Sequence, residues 1–417
     1  MIRKFLVVLF FLISFVSFAQ QGSASPYSFF GIGDVRFKGT HDMNAMGGLS
    51  IVPDSIHINL KNPASYSGLK LTTFTIGGSY NATKFKSNTE SENAKRITLD
   101  YLAVAFPLKK MGFAFGLIPY SSVGYKIKNQ YDDGVIIDSL NRYSGTGGLN
   151  KAFLGFGYKF SKFSVGAEMA YNFGRIETES IKYIGVSQNG SQESNVSTMS
   201  GLDIKIGAMY NAKITKKLDL YSGITYSPQS DLNSSNERTV FTVRYVGDLT
   251  PIPQDYLDVI NSKTVIQMPS TFSIGAGVGE SKKWIIGTEV TFKASNTFSN
   301  RISDVANVSY ENGTKYTLGG YYIPNYNSFD NYFKKITYRG GFRYENTGLV
   351  VNTFSINDYA LTGGLGLPVG GTFSNLNLGF ELGRRGTARA NLIQENYINI
   401  TMSLSLNDKW FTPRKYD

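Results

Sequence analysis

Catalysis by side chains draws on histidine, cysteine and paired carboxylates, and this chain is poor in the first two. It has two histidines, His41 and His57, and no cysteine. A catalytic set needs a nucleophile, a base and an orienting group that converge. His41 stands beside Asp42 and reads as half of a local polar pair; His57 reads as a packing or surface residue. Two histidines without a thiol also argue against a transition-metal site. Glu168, Glu289 and Glu381 are the carboxylates available for acid–base work, but each sits among glycines on the polar face of an alternating segment, where hydrogen bonding to a neighbouring segment is the simpler role. Asp132-Asp133-Gly134 offers too few oxygens for calcium. No glycine loop has the strand–helix setting that cradles phosphate. The expectation is a protein with no catalytic residue, no cofactor and no metal.

The start of the chain sets the compartment. Arg3 and Lys4 precede an apolar run, Phe5 to Phe18, and Ser17-Phe18-Ala19 has the small-x-small form of a cleavage site. Residues 1–19 therefore read as a secretory signal peptide, too short for a spanning helix of about 20 apolar residues. Beyond it no stretch suits a membrane helix, so a membrane protein here must span by strands, because only helices and closed barrels satisfy the backbone in lipid. The formal charge of +11 falls to +9 without the signal. The basic residues are scattered through turns and loops, which suits a solvated or lipid-headgroup-facing surface and excludes a nucleic-acid partner. The turn lysines have no assigned role.

The elements that position the carboxylates show a period of two. Phe163, Val165, Ala167, Met169, Tyr171 and Phe173 alternate with Ser164, Gly166, Glu168, Ala170, Asn172 and Gly174. The same pattern runs through 202–211, 376–383 and 398–406. Side chains alternate faces along a strand, and a membrane barrel puts the apolar face on lipid and the polar face in the lumen. Fourteen strands are expected, starting near Thr72, Ile97, Gly112, Lys151, Phe163, Thr198, Leu218, Thr271, Trp284, Tyr316, Lys335, Tyr359, Leu376 and Glu395. Short turns alternate with long loops: Ser87 to Lys95, Asn129 to Gly147, Glu177 to Val196, Ser227 to Met268 and Ser299 to Lys315. In the longest, Pro253 to Asn261 reads as a short helix carrying Tyr256, Leu257, Val259 and Ile260.

The stretch Gln20 to Leu69 does not alternate and is rich in Gly and Pro. It reads either as a plug folded into the lumen, giving partners to Asp203, Lys205, Glu289, Arg339, Arg343 and Glu381, or as an irregular periplasmic lead. Pro119 lies within the third strand with Gly116 and Gly124 around it. Proline cannot donate to a ladder, so the strand must bulge or leave a neighbour here.

From Ala45-Met46-Gly47-Gly48 through Asn62-Pro63-Ala64 to Phe74-Thr75-Ile76-Gly77-Gly78, the chain resembles the FadL/TodX family of hydrophobic-compound channels. The sharp part of the likeness is the Asn62-Pro63-Ala64 junction before the first strand. The resemblance implies an all-β fold: a 14-stranded antiparallel transmembrane β-barrel (71–411) with an N-terminal hatch (20–70) in the lumen and a short periplasmic tail (412–417). It implies passive uptake of a hydrophobic small molecule, fatty-acid-like or aromatic. The ligand would first meet a groove in the external loop at Tyr256, Leu257, Val259 and Ile260. It would pass a pocket or stopper at Tyr27, Phe29, Phe30 and Ile32, and leave sideways at a kink marked by Gly116, Pro119 and Gly124. The implied location is the outer membrane of a Gram-negative cell, both barrel ends periplasmic, among outer-membrane lipid and lipopolysaccharide. The loops do not match the fatty-acid transporters, and the C-terminal strand runs on through Lys409-Trp410-Phe411. Non-transporting relatives share the barrel, so an accessory subunit of an outer-membrane secretion or assembly complex is the alternative function.

Overall fold

The computed structural model describes residues 22–132, 137–184, 189–246, 250–298, 307–370 and 373–410. Residues 1–19, read above as a signal peptide, most of Asp132-Asp133-Gly134 and the tail 412–417 lie outside the described residues. So do the side chains of Tyr256 and Leu257.

Alternation is realised on the wall. In Phe163–Ile184 the exposed set is Phe163, Val165, Met169, Tyr171 and Phe173, while Ser164, Gly166, Glu168 and Asn172 face inward and are buried. The strands in chain order are β1 (Asp34–Val35), β2 (Thr72–Lys86), β3 (Ser91–Leu108), β4 (Met111–Asp132), β5 (Ile137–Phe160), β6 (Phe163–Ile184), β7 (Asn189–Lys213), β8 (Asp219–Ser227), β9 (Ser230–Val246), β10 (Thr250–Met268), β11 (Thr271–Glu280), β12 (Trp284–Lys293), β13 (Val308–Tyr310), β14 (Gly313–Tyr322), β15 (Thr337–Val351), β16 (Phe354–Pro368), β17 (Asn375–Arg385) and β18 (Gln394–Asp408). Fourteen of them close the barrel by antiparallel pairing: β2 to β8, then β11, β12 and β14 to β18, with β18 returning to β2 from Gln394↔Lys86 to Asp408↔Thr72. Closure removes edge strands, which are otherwise templates for aggregation.

The remaining strands lie off this ring. β1 pairs with β4 from inside, and β13 pairs with β15. β9 and β10 form a hairpin whose first strand continues the ladder on the outer half of β7, from Asn189↔Arg244 to Ser200↔Asn233. This corrects the helical reading of Pro253 to Asn261, which is strand throughout; Val259 and Ile260 are both exposed on it. The apolar spacing there fits either period, and cross-strand pairing with Thr239 and Arg238 decides it. The stretches 129–147 and 177–196 are likewise mostly ladder rather than loop. Both ends of the barrel chain, Thr72 and Asp408, open onto the same rim, the one with the shorter turns.

The lumen is filled by the N-terminal segment. Met43, Leu49, Ile51, Ile58, Leu60 and Tyr66 are each 3% exposed or less. They form apolar clusters with inward residues of the wall, such as Tyr101, Ala103 and Phe153 around Ile58, Leu60 and Tyr66.

Candidate functional site

The Asn62-Pro63-Ala64 junction is a helix start. Asn62 keeps an extended backbone and its side chain accepts from the Ala64 amide at 3.0 Å. Pro63 then occupies the first position, where its missing N–H costs nothing. The resulting 3-10 turn, Pro63–Gly68, lies flat on the inner faces of β4 to β7. The wall is glycine there because the backbones touch. A Cβ on Gly112 would stand 1.9 Å from the Tyr66 carbonyl oxygen, and one on Gly166 would stand 2.4 Å from the Pro63 carbonyl carbon. Asn62 also donates to the Ala208 carbonyl at 3.3 Å.

The carboxylates weighed as paired acids hold this segment in place. Glu289, 2% exposed, accepts from the Ser50 amide at 2.8 Å, the Ser50 hydroxyl at 2.6 Å and Lys61 at 2.8 Å. Glu168 accepts from the Tyr66 hydroxyl at 2.8 Å and from Lys205 at 3.1 Å. Glu381 and Asp358 share Arg343, at 2.5 and 3.2 Å, and Lys38 of the hatch, at 3.6 and 3.3 Å. Asp203 pairs with Lys151 and Arg339 with Asn377. His41 does not pair with Asp42: its Nε2 lies 2.8 Å from Asp100 on β3. Adjacent residues on a helix point apart, so the local pairing is replaced by one across the lumen. His57 is buried and its Nδ1 meets Asp54, 2.8 Å away. Burial opposes both charges of that pair, but mutual attraction wins. His57 is pushed up from its ordinary value, and the Asp54 carboxyl is held down at about 2.

The wall is not uniform. β4 and β5 pair along nearly their whole length, whereas β3 and β4 pair only from Leu108↔Met111 to Leu102↔Leu117. Beyond Leu117 the two strands part, and Pro119 stands at the parting. The β4–β5 register shifts between Pro119 and Ser121, a bulge. Alternation then fails: Ser121, Ser122, Val123, Gly124 and Tyr125 are all buried. Here β4 turns inward, and Gly147 and Gly148 of β5 (φ of 109° and 154°) accommodate it.

The edge β4 loses to β3 is taken by the hatch. Asp34 and Val35 pair with Ser122 and Ser121. The Arg36 amide donates to the Tyr120 carbonyl at 3.0 Å, and the Ser121 hydroxyl donates to the Ile32 carbonyl at 2.7 Å. Gly124 is glycine because a Cβ would lie 1.8 Å from the Ser23 carbonyl oxygen; on Gly116 it would lie 2.2 Å from that of Leu102. Arg385 anchors β1 from across the lumen at 2.7 Å from Asp34. Burial raises the Asp34 carboxyl, but Arg385, Arg36 and Lys38 hold it below its usual range.

The four apolar residues near the hatch N-terminus divide. Phe29 packs with Ile32 against Val123, Tyr125 and Leu149, while Tyr27 and Phe30 pack on the opposite wall against Leu349, Val351 and Ile356. Tyr27, Phe30 and Ile32 also border a cavity of about 410 Å³ above the hatch. Its other walls mix charged side chains, among them Arg36, Lys38, Arg96, Asp100, Lys151 and Asp203, with apolar ones such as Phe37, Ile118, Tyr120 and Phe298. Sequence reasoning missed the β1 strand and the Asp34–Arg385 anchor. Two residues carry no period; the one available signal was the Gly147-Gly148 pair, opposite Val123 and Ser122 just beyond Pro119.

The fold is that of the aromatic-hydrocarbon channels. The chain is similar to the toluene transporter TodX of Pseudomonas putida, with a TM-score of 0.60 and 16% identity over 90% of this chain and 100% of that one. It is similar to the toluene transporter TbuX of Ralstonia pickettii (0.58, 16%, 89% and 99%) and to a Pseudomonas aeruginosa FadL homologue (0.58, 12%, 90% and 98%). At these identities the likeness is one of fold. No curated protein sequence matches the chain significantly. A family model does match, over residues 1–417, and its description is BamG. With the entire chain matched, from the signal-like start through hatch and barrel, the protein belongs to the BamG family.

Proposed function

We propose that this protein is a non-transporting outer-membrane barrel that serves as a subunit of a protein-assembly complex, with both barrel ends in the periplasm. The observation that carries the reading is the character of the space behind the wall seam. A route for a toluene-like or fatty-acid-like molecule needs a mostly apolar lining with a few polar groups. The cavity here is mixed: beside apolar side chains such as Phe37, Ile118, Tyr120 and Phe298 it carries Arg36, Arg96, Asp100, Lys151 and Asp203, more charge than such a route calls for. The hatch below it is fastened to the wall by the ion pairs Lys61–Glu289 and Lys38–Asp358 and by glycine-seated backbone. The family designation supports the same reading, since its prefix is that of the β-barrel assembly machinery.

A second reading, lateral uptake of a hydrophobic compound, is favoured by the parting of β3 from β4 beside Pro119. The two differ in what accompanies the barrel. Purification of the intact chain from membranes in mild detergent, followed by native mass measurement, is expected to give a defined complex with a fixed protein stoichiometry. A lone barrel carrying a bound hydrophobic compound is the result that would reverse the order of the two readings.

A further inference from the structure

The turns at the rim that carries both barrel ends are crowded with lysine. Five of the six turns there, those joining β3–β4, β5–β6, β7–β8, β11–β12 and β14–β15, each hold or adjoin at least two, and Lys409 follows β18. Twelve lysines in all face four acids, Asp219, Glu280, Asp330 and Asp408. Among the described residues only one of the twelve, Lys283, lies within ion-pair reach of a carboxylate, Glu280 at 3.0 Å. The opposite rim mixes its signs: Lys86, Lys95, Lys126, Lys182 and Lys263 share it with Glu90, Glu92, Glu177, Glu179, Glu193 and Glu237, and two of its arginines are paired, Arg175 with Glu177 and Arg238 with Glu193.

The lysines are set just beyond a girdle of aromatic rings. Around this rim Trp410, Phe106, Phe115, Phe113 and Phe156 form neighbouring ring pairs on adjacent strands, and Phe160, Phe163 and Tyr210 continue the series. Three of the ammonium groups sit over rings: Lys282 on Tyr326 at 4.5 Å, Lys335 on Phe329 at 5.7 Å and Lys409 on Phe373 at 5.8 Å. Aromatic rings mark the depth of the membrane interface in barrels. Cations fixed at that depth meet the headgroups.

We infer that this rim binds anionic phospholipid headgroups of the surrounding leaflet, as a ring of lysine sites above an aromatic girdle. The distribution selects the occupant. A protein partner engages one sector of a barrel, whereas unpaired lysines in turns around the circumference are matched only by something that surrounds it. A basic residue close to an anionic bilayer gains from the surface potential, and the effect falls off within a Debye length. The inference does not rest on the assembly-subunit reading: a channel and a subunit would both carry the ring.

The test uses the full chain in detergent with an equimolar mixture of phosphatidylglycerol and phosphatidylcholine, counting retained lipids by native mass spectrometry. Phosphatidylglycerol is expected to be retained about fivefold or more over phosphatidylcholine, since one such lysine alone contributes roughly that factor. The combined variant Lys109→Gln, Lys162→Gln, Lys216→Gln, Lys282→Gln and Lys334→Gln should lose the preference. The same number of changes on the opposite rim, at Lys86, Lys95, Lys126, Lys182 and Lys263, should keep it. If the first variant does not fold, raising the salt on the unaltered protein from about 0.05 to 0.5 M must abolish the preference in its place. Equal retention of the two lipids, or equal loss in both variants, overturns the inference. So does displacement of phosphatidylglycerol by inorganic phosphate alone, which would mean an anion site without a bilayer. Release of an acidic protein by the first variant with lipid retention unchanged would make this rim a protein-docking face and also overturn it.

Discussion

The hatch meets the wall in two places that are built alike and do opposite things. At the Pro63–Gly68 turn, glycines of β4 to β7 let backbone lie on backbone, and the wall behind is continuous ladder. At the seam beside Pro119, Gly124 again lets the hatch approach, but the wall behind is missing, because β3 has parted from β4. In the first place the hatch rests on the barrel. In the second it completes the barrel, with Asp34 and Val35 supplying pairing that a neighbouring strand supplies elsewhere. Close packing by glycine is thus one device used for a seat and for a patch, and what separates them is whether the backbone groups of the wall are already satisfied.

The comparison is most readily broken through the buried charge of the seat. Glu289→Ala leaves Lys61 and Ser50 without their partner in the lumen, and removal of one member of a buried pair costs about 3–5 kcal/mol. Thermal unfolding should drop accordingly, and the hatch should become open to protease before the barrel melts. Next in size is the seat itself. Gly166→Ala forces a methyl against Pro63 and should cost about 1–3 kcal/mol as overpacking. Gly340→Ala, where an added Cβ meets nothing within 4 Å, should stay within about 0.5 kcal/mol of the parent. Equal midpoints for these two variants would remove the glycine-seat argument.

The patch answers to a subtler change. Gly124→Ala should expel the arm around Ser23 from β4 while the Pro63–Gly68 turn stays seated. Hydrogen exchange would then rise for 22–35 and stay unchanged for 62–68; a rise in both would make the two places one unit. The smallest effect expected is on pH. His57 has a raised pKa in the folded protein, so its contribution is full below about 6.5, its unfolded value, and fades as pH rises through the folded value. Asp54 is lowered to about 2, so its contribution is present above its unfolded value near 4 and fades as pH falls toward about 2. The pair therefore steadies the hatch best between about pH 4 and 6.5, by a modest amount because the Asp54 side chain is 40% exposed. Melting curves of Asp54→Asn should lack that plateau.

Much of this was legible in the residues, for reasons that also explain what was not. The count of fourteen barrel strands and the inner and outer faces follow from alternation, which lipid on one side and a polar lumen on the other enforce. Above the membrane that demand lapses. The outer parts of β5, β7, β9 and β10 carry only scattered inward anchors, such as Leu140, Met199, Leu232 and Ile266, among polar residues, and so read as loops although they are ladder. Pro119 was legible because a missing donor has one consequence inside a sheet. The partner that fills the parting was not, since Asp34-Val35 is too short to carry a pattern. Glycines on the polar face were visible as a composition; that each faces a particular hatch atom depends on how the segment folds back.

The most direct test of the central claim uses the absence of native cysteine. Val35 and Ser121 stand opposite each other in the β1–β4 pairing, a separation that suits a disulfide. Val35→Cys with Ser121→Cys, oxidised, would lock the hatch across the seam. If the protein is an assembly subunit, the locked form should keep its partners in fixed stoichiometry, and entry of toluene or a long-chain fatty acid into cells should be the same before and after reductant. Loss of hydrophobic uptake on locking, restored by reductant, would contradict the account and make the seam a gate.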